Sequence, residues 1–232
     1  MLSIIVPAHD EAHLIGATLG ALREATTTLR LACEMIVVDD ASSDETGDIA
    51  RDHGARVVRV EHRHIAAARN AGAQVAQGDA LLFVDADTLV HADVIDAAMT
   101  VLREGAAGGG AAVKLQGNVA LHERLAADVF AFLFRLTRIA PGCFIFCTRD
   151  AFAAAGGFDQ RYYAGEDVAI SRALSRQGRF VILRQSVFTS DRKLRTFSAA
   201  EHLRLVLRVA WRGRQVLRSR DALALWYGGR RK

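Results

Sequence analysis

Apolar residues in the first hundred positions come in short dense runs, separated by stretches with helical spacing. Residues 2–8 (LSIIVPA), 33–40 (CEMIVVDD), 55–60 (ARVVRV) and 80–87 (ALLFVDAD) are rich in Val, Ile and Leu and are bounded by polar clusters, which predicts four strands. Between and after them, residues 11–29, 43 onward, 64–77 and 92–104 carry apolar side chains at helical period. The second of these opens on Ser43-Asp44-Glu45-Thr46, which offers a capping side chain and first-turn acids. Strands apolar on both faces that alternate with helices predict an α/β fold with a mostly parallel central sheet and helices on both sides. The second half is less regular. It predicts strands at 106–116, 142–149 and 179–184, helices at 121–139, 150–156 and 165–177, and a long basic helix at 198–218.

In an open parallel sheet, ligands bind outside the carboxyl ends of the strands. Three of the predicted strands end there in polar groups: Pro7-Ala8-His9, Asp39-Asp40 and Asp85-Ala86-Asp87. Asp85 and Asp87, one residue apart at the end of an apolar strand, are hard oxygen ligands suited to Mg²⁺ or Mn²⁺ with a diphosphate completing the shell. A second acidic pair, Glu166-Asp167, follows Gly165 at a predicted helix start, where the helix dipole favours the ionised carboxylate. That placement lowers basicity, so an apolar wall such as Tyr163 has to compensate if one of the pair is a base. Arg69 has the planar donor fork that suits oxyanions. Asp39-Asp40 also reads as a helix-capping pair.

Composition narrows the class. At 232 residues, 51% hydrophobic and 24% charged, with only two prolines, the chain has the balance of one folded domain with no proline-rich linker. The first six apolar residues turn polar too soon for a signal peptide. No window of about 18 apolar residues occurs, and the nearest is broken by Asp128, Arg135 and Arg138. The expected location is therefore cytoplasmic. Three scattered cysteines exclude a disulfide framework, and Cys143 and Cys147 read as buried thiols on one face of a strand.

Charge divides the chain. Residues 192–232 hold twelve Lys or Arg against Glu201 and Asp221, a surplus of ten, so the net +4 leaves the first 191 residues at −6. Within 198–218, Leu203, Val206, Leu207, Ala210 and Trp211 recur at helical spacing opposite Arg204, Arg208 and Arg212. Such a helix either packs on the core with a solvated arginine face or sits on anionic lipid headgroups as a peripheral contact. Nucleic-acid binding is not expected, since no aromatic platform interleaves the basic residues. The chain accordingly divides into a main domain at 1–190 and a basic tail at 191–232.

Four segments, SIIVPAHDEAHLIGATL, EMIVVDDASSDETGDIA, AAARNAGAQVAQGDALLFVDADT and GGFDQRYYAGEDVAISRAL, stand in the order and spacing of the family 2 glycosyltransferases, the inverting enzymes of the GT-A fold, which the chain resembles over 1–190. The resemblance implies transfer of a sugar from a nucleoside-diphosphate donor, UDP by default over GDP, to a hydroxyl of a glycan or lipid-linked acceptor. It implies that Pro7, Ala8, His9 and Glu11 line the nucleotide pocket and that Val38 and Asp40 face the base. Arg69 and Asn70 would reach the diphosphate or brace the pocket. Asp85, Ala86 and Asp87 would meet the donor, with the metal on Asp85 and Asp87. Asp167 would be the base, with Glu166 a neighbouring contact to acceptor or donor.

Two departures stand out. Residues 187–195 lack the late His that many relatives use as a third metal ligand, which leaves that position to water, substrate or Asp191. Ala169 replaces the second Asp of the usual Glu-Asp-x-Asp run. Other readings are a polyprenyl-phosphate acceptor, or a catalytically silent membrane-surface protein of the same fold. A pyrophosphorylase would need a glycine- and basic-rich loop after the first strand, and a nicotinamide dehydrogenase a G-x-G-x-x-G there. PAHDEAHLIG stands in that place.

Overall fold

A computed structural model describes residues 1–115 and 136–190. Its strands are β1 (Leu2–Ala8), β2 (Cys33–Asp40), β3 (Arg56–Val60), β4 (Ala80–Val84), β5 (Thr88–Leu89), β6 (Gly108–Leu115), β7 (Phe144–Thr148) and β8 (Phe180–Thr189). The helices are α1 (Ile15–Thr28), α2 (Thr46–Asp52), α3 (Ile65–Val75), α4 (Ala92–Arg103), α5 (Arg149–Ala155) and α6 (Glu166–Ser175). All strands join one sheet in the order β3-β2-β1-β4-β7-β6-β8-β5. β1, β2, β3, β4, β6 and β8 run one way, and β7 and β5 oppose them. The fold is thus α/β with a mostly parallel sheet. The chain steps outward from β1 to β3 and then returns to β1's other side as β4, which makes the carboxyl ends of β1 and β4 a topological switch point.

Side chains alternate along each strand, so the central strands feed two cores. Ile4, Val6, Val37, Leu82, Val84, Phe144 and Phe146 pack with Ile15, Leu19 and Leu22 of α1 and Val94, Ile95 and Ala98 of α4. Ile5, Ile36, Val38, Leu81, Phe83 and Ile145 pack on the other face with Ala66, Ala68 and Ala73 of α3 and Ile170 and Leu174 of α6. Each large side chain removed from water in this way contributes about 1.5–3 kcal/mol. Gly72 lets α3 approach closely: a Cβ there would stand 2.4 Å from Ile5 Cγ2 and 2.9 Å from Val38 Cγ2. Gly72→Val is therefore expected to cost roughly 1–3 kcal/mol through overpacking. Denaturant titration checks this, the expected result being a lower midpoint at unchanged slope.

Several boundaries differ from expectation. α1 begins at Ile15 rather than near residue 11, because the Glu11 and Ala12 N–H groups donate to Thr46 Oγ1 (2.8 Å) and Asp44 Oδ2 (3.1 Å) of the next loop. β4 ends at Val84, so Asp85 and Asp87 lie beyond the strand in a turn. That turn is closed by Thr88 N–H donating to Asp85 O and by Asp85 N–H donating to Cys143 O. β8 runs to Thr189, past the expected 184, because it keeps pairing with β6 across an irregularity at Gly110/Ala112 and then meets β5. The two cysteines do not share a face: Cys147 lies in the α3-side core, while Cys143 precedes β7 and packs against the opposite one. Burial pushes both thiols above their usual range, helped at Cys143 by the Asp85 and Asp87 carboxylates. Among the described residues no helix is long and apolar enough to cross a membrane. The expected helix at 198–218 and most of that at 121–139 lie outside the described residues.

Candidate active site

The loops after β1 and β2 are stitched together at the carboxyl edge. Asp10, at φ +52°, accepts through Oδ1 from Ser43 N–H at 2.7 Å, and its own N–H donates to Ser42 Oγ at 3.1 Å. With the Glu11–Thr46 and Ala12–Asp44 contacts, these bonds form a continuous rim. Pro7 and Ala8 end β1 beneath it, both buried. His9 is exposed and donates from Nδ1 to Asp40 O at 2.7 Å.

Two residues expected to face a base have protein contacts of their own. The Val38 side chain is fully buried beneath α3, so only its main chain is available to a ligand. The Asp40 carboxylate accepts from three successive backbone N–H groups, those of His62, Arg63 and His64, at 2.6, 2.7 and 2.8 Å. That triple contact fixes the start of α3. Asp39 is buried, pairs with Arg59 at 3.2 Å and accepts from Ser42 N–H in the loop ahead of α2, so it caps no helix. Ala86 turns its methyl into the α1-side core, and its carbonyl accepts from Thr18 Oγ1 at 2.8 Å.

Asp85 and Asp87 remain at the edge, 19% and 7% exposed. Asp85 Oδ1 accepts from Arg69 Nη2 at 2.8 Å, and Asp87 Oδ1 lies 3.3 Å from Thr189 Oγ1, which donates to it. The Asp87 carbonyl accepts from Ser190 N–H at 3.2 Å. Each carboxylate is therefore held by a different element. Two oriented hard-oxygen ligands on one turn fit a divalent cation whose remaining positions are filled by phosphate and water oxygens. No cluster of three or more His, Cys, Asp or Glu residues that could hold a metal is found among the described residues. Asp191, the expected alternative third ligand, lies outside them.

Arg69 is among the largest fully buried side chains of the described residues, 1% exposed. Besides Asp85, it donates from Nη1 to Glu166 Oε1 at 2.9 Å and from Nη2 to Gly142 O at 2.8 Å, and it lies 5.1 Å from the Phe158 ring centroid. Burial works against its charge, but Asp85 and Glu166 outweigh that effect and hold Arg69 protonated. Its neighbour Asn70 grips Phe158, donating to the carbonyl at 2.8 Å and accepting from the N–H at 2.9 Å. Both side chains of the Arg-Asn pair are thus engaged by protein groups.

The acidic pair opens α6 after Gly165, whose φ of +80° lies in the left-handed region that glycine tolerates. Glu166 is buried and turned to Arg69, whereas Asp167 is half-buried and accepts from Val168 N–H at 2.8 Å. Burial pushes both carboxyls above their ordinary values, outweighing the downward pull of Arg69. The dipole argument from the sequence therefore loses to desolvation, and Asp167 becomes a better proton acceptor. His64 caps α3 and packs against Tyr163 with the rings tilted by 50° and centroids 4.5 Å apart, so a residue the sequence did not single out joins the α3 start to the approach to α6. Its signal was its position immediately before the Ala-rich helix.

Similarity to known proteins gives the family and the fold. Residues 3–152 match the model of "Glycosyl transferase family 2". Validoxylamine A glucosyltransferase of Streptomyces hygroscopicus subsp. jinggangensis (strain 5008) is 35% identical over 96 residues, 38% of this chain and 22% of the relative. "Uncharacterized glycosyltransferase EpsJ" of Bacillus subtilis (strain 168) is 33% identical over 95 residues, 39% of this chain and 27% of the relative. The chain thus spans about a quarter of the length of these relatives. Among solved structures, S. aureus TarS 1-349 in complex with UDP-GlcNAc aligns with TM-score 0.63 and 19% identity, over 82% of this chain and 58% of that one. The mannosyltransferase PcManGT of Pyrobaculum calidifontis, in complex with GDP-Man and Mn²⁺, aligns with TM-score 0.70 and 19% identity, over 94% and 62%. The family match covers well over half of the 232 residues and the sheet order carries the acidic turn to the switch point, so the chain belongs to glycosyltransferase family 2 and has the GT-A fold.

Proposed function

We propose that the protein is an inverting, metal-dependent glycosyltransferase that moves a sugar from a nucleoside-diphosphate donor to a hydroxyl of a glycan or lipid-linked acceptor. One observation carries the reading: Arg69 bonds both the Asp85 turn, 16 residues on, and the Glu166-Asp167 helix start, 97 residues on, and so draws them together at one sheet edge. The nucleotide lies against the rim formed by Pro7, Ala8, His9 and Glu11, with the Val38 main chain and Asp40 behind it. The diphosphate points toward Asp85 and Asp87.

Asp85 and Asp87 would hold a Mg²⁺ or Mn²⁺ ion, which would supply Lewis acidity toward the charge on the departing diphosphate. Asp167 takes the proton from the acceptor hydroxyl as its oxygen bonds to the sugar's anomeric carbon. The bond from that carbon to the donor phosphate breaks, and the nucleoside diphosphate leaves with the bonding electron pair. Attack opposite the leaving group inverts the configuration. Glu166 stays on Arg69 and holds the helix start in place. An anionic membrane surface contacted through 198–218 belongs to the same reading, since it brings a lipid-linked acceptor to the enzyme.

The neighbours are bound to UDP-GlcNAc and to GDP-Man with Mn²⁺, so both nucleotides need testing. A thermal-shift panel of UDP, GDP and their sugars, with and without Mn²⁺, is the direct experiment. A ligand at a hundred times its Kd adds about 2.7 kcal/mol of stability, which appears as a rise of several degrees that requires Mn²⁺. UDP is expected to give the largest. No stabilisation by any nucleoside diphosphate would overturn the reading.

A further inference from the structure

Arg69 serves acceptors on three separate segments: the Asp85 turn, the Gly142 loop and the first residue of α6. Asn70, the next residue on α3, fastens the Phe158 backbone that leads into α6. We propose that Arg69 is a positioning residue, which locks the donor-side turn and the base-bearing helix start into one frame and does not itself bind the donor. The proposal rests on the glycosyltransferase reading and deepens it.

Three features support it. The guanidinium is almost wholly buried, and both Nη atoms are already engaged by protein acceptors. The residue it anchors, Glu166, is covalently next to Asp167, so a shift at the first carboxylate moves the second. In-line displacement tolerates little error, and a misplacement of about 1 Å costs on the order of a hundredfold in rate. A lysine retains the charge but has no planar fork with which to span these acceptors.

The test is steady-state kinetics of Arg69→Lys with the full chain. The expected result is a fall in kcat of about a hundredfold with donor KM within about threefold, for a variant still stabilised by nucleotide and Mn²⁺. Arg69→Ala should regain part of its kcat on addition of millimolar guanidinium, which refills the fork; a generally loosened fold would not respond. Unchanged kcat in Arg69→Lys, or a loss confined to donor KM, overturns the proposal. If neither Arg69 variant folds, Glu166→Gln decides: about a tenfold loss in kcat at unchanged donor KM supports the frame, and wild-type kcat overturns it. Wild-type protein that transfers no sugar from any donor defeats the functional reading instead, so the two failures are distinguishable.

Discussion

Asp167→Asn lowers kcat for a hydroxyl acceptor by about a thousandfold, within the range general-base catalysis contributes, and leaves nucleotide binding intact. The amide keeps the shape of the carboxylate and can still accept from Val168 N–H, so the fold has no reason to change. What it loses is proton affinity. Glu166 cannot stand in, since its carboxylate is buried against Arg69. Because burial raises Asp167 above the ordinary Asp value, the wild-type rate should climb with pH as this carboxyl ionises, and the variant should lack that limb. The measurements are a pH profile of kcat/KM for both proteins and calorimetric binding of the nucleotide. Wild-type kcat in Asp167→Asn would remove the residue from the chemistry; a loss of only a few fold would point to an acceptor that arrives already ionised, such as a polyprenyl phosphate.

Asp87→Asn is expected to abolish the Mn²⁺-dependent part of nucleotide binding and to lower transfer by on the order of a thousandfold, as removal of several kcal/mol of charge stabilisation requires. Asp85→Asn should do the same with an added structural cost. It weakens one of the charge-assisted bonds of a buried guanidinium, a loss of roughly 1–3 kcal/mol. Asp87 accepts from the Thr189 hydroxyl and, through its carbonyl, from Ser190 N–H; these are neutral donors, and bonds to them are worth less than bonds to a charged one, so its variant should melt closer to wild type. Calorimetry of UDP with and without Mn²⁺, beside thermal melts of both variants, separates the two effects. Full Mn²⁺ dependence in Asp87→Asn would place the metal elsewhere.

The strands of the first half were legible because parallel strands covered on both faces must be apolar throughout, and such runs are easily seen. That same property hid the faces. In CEMIVVDD nothing local says that Val38 points under α3, since Val37 is equally apolar and faces the other core. The acidic turn and the Glu166-Asp167 pair could be found because their chemistry sits in consecutive residues. The frame between them could not, because Arg69 meets Glu166 only through folding, and nothing beside either residue encodes the partner. The contacts of Asp40 were hidden for a related reason: an acid at a strand end suits a ligand or a loop equally well, and only the path of residues 62–64 shows the loop donating to it. The start of α1 moved because its first amides found side-chain partners on another loop.

The depth of the Arg69 frame also bears on ionic strength. Mobile ions shorten the reach of charges in water to about 8 Å at physiological salt, but they act far less on groups shielded from solvent. Exposed pairs such as Arg51 with Asp48 and Arg179 with Glu104 lie open to such screening. The Asp85–Arg69–Glu166 chain does not. Brine can therefore loosen the surface pairs while the contacts around Arg69 stay as they were.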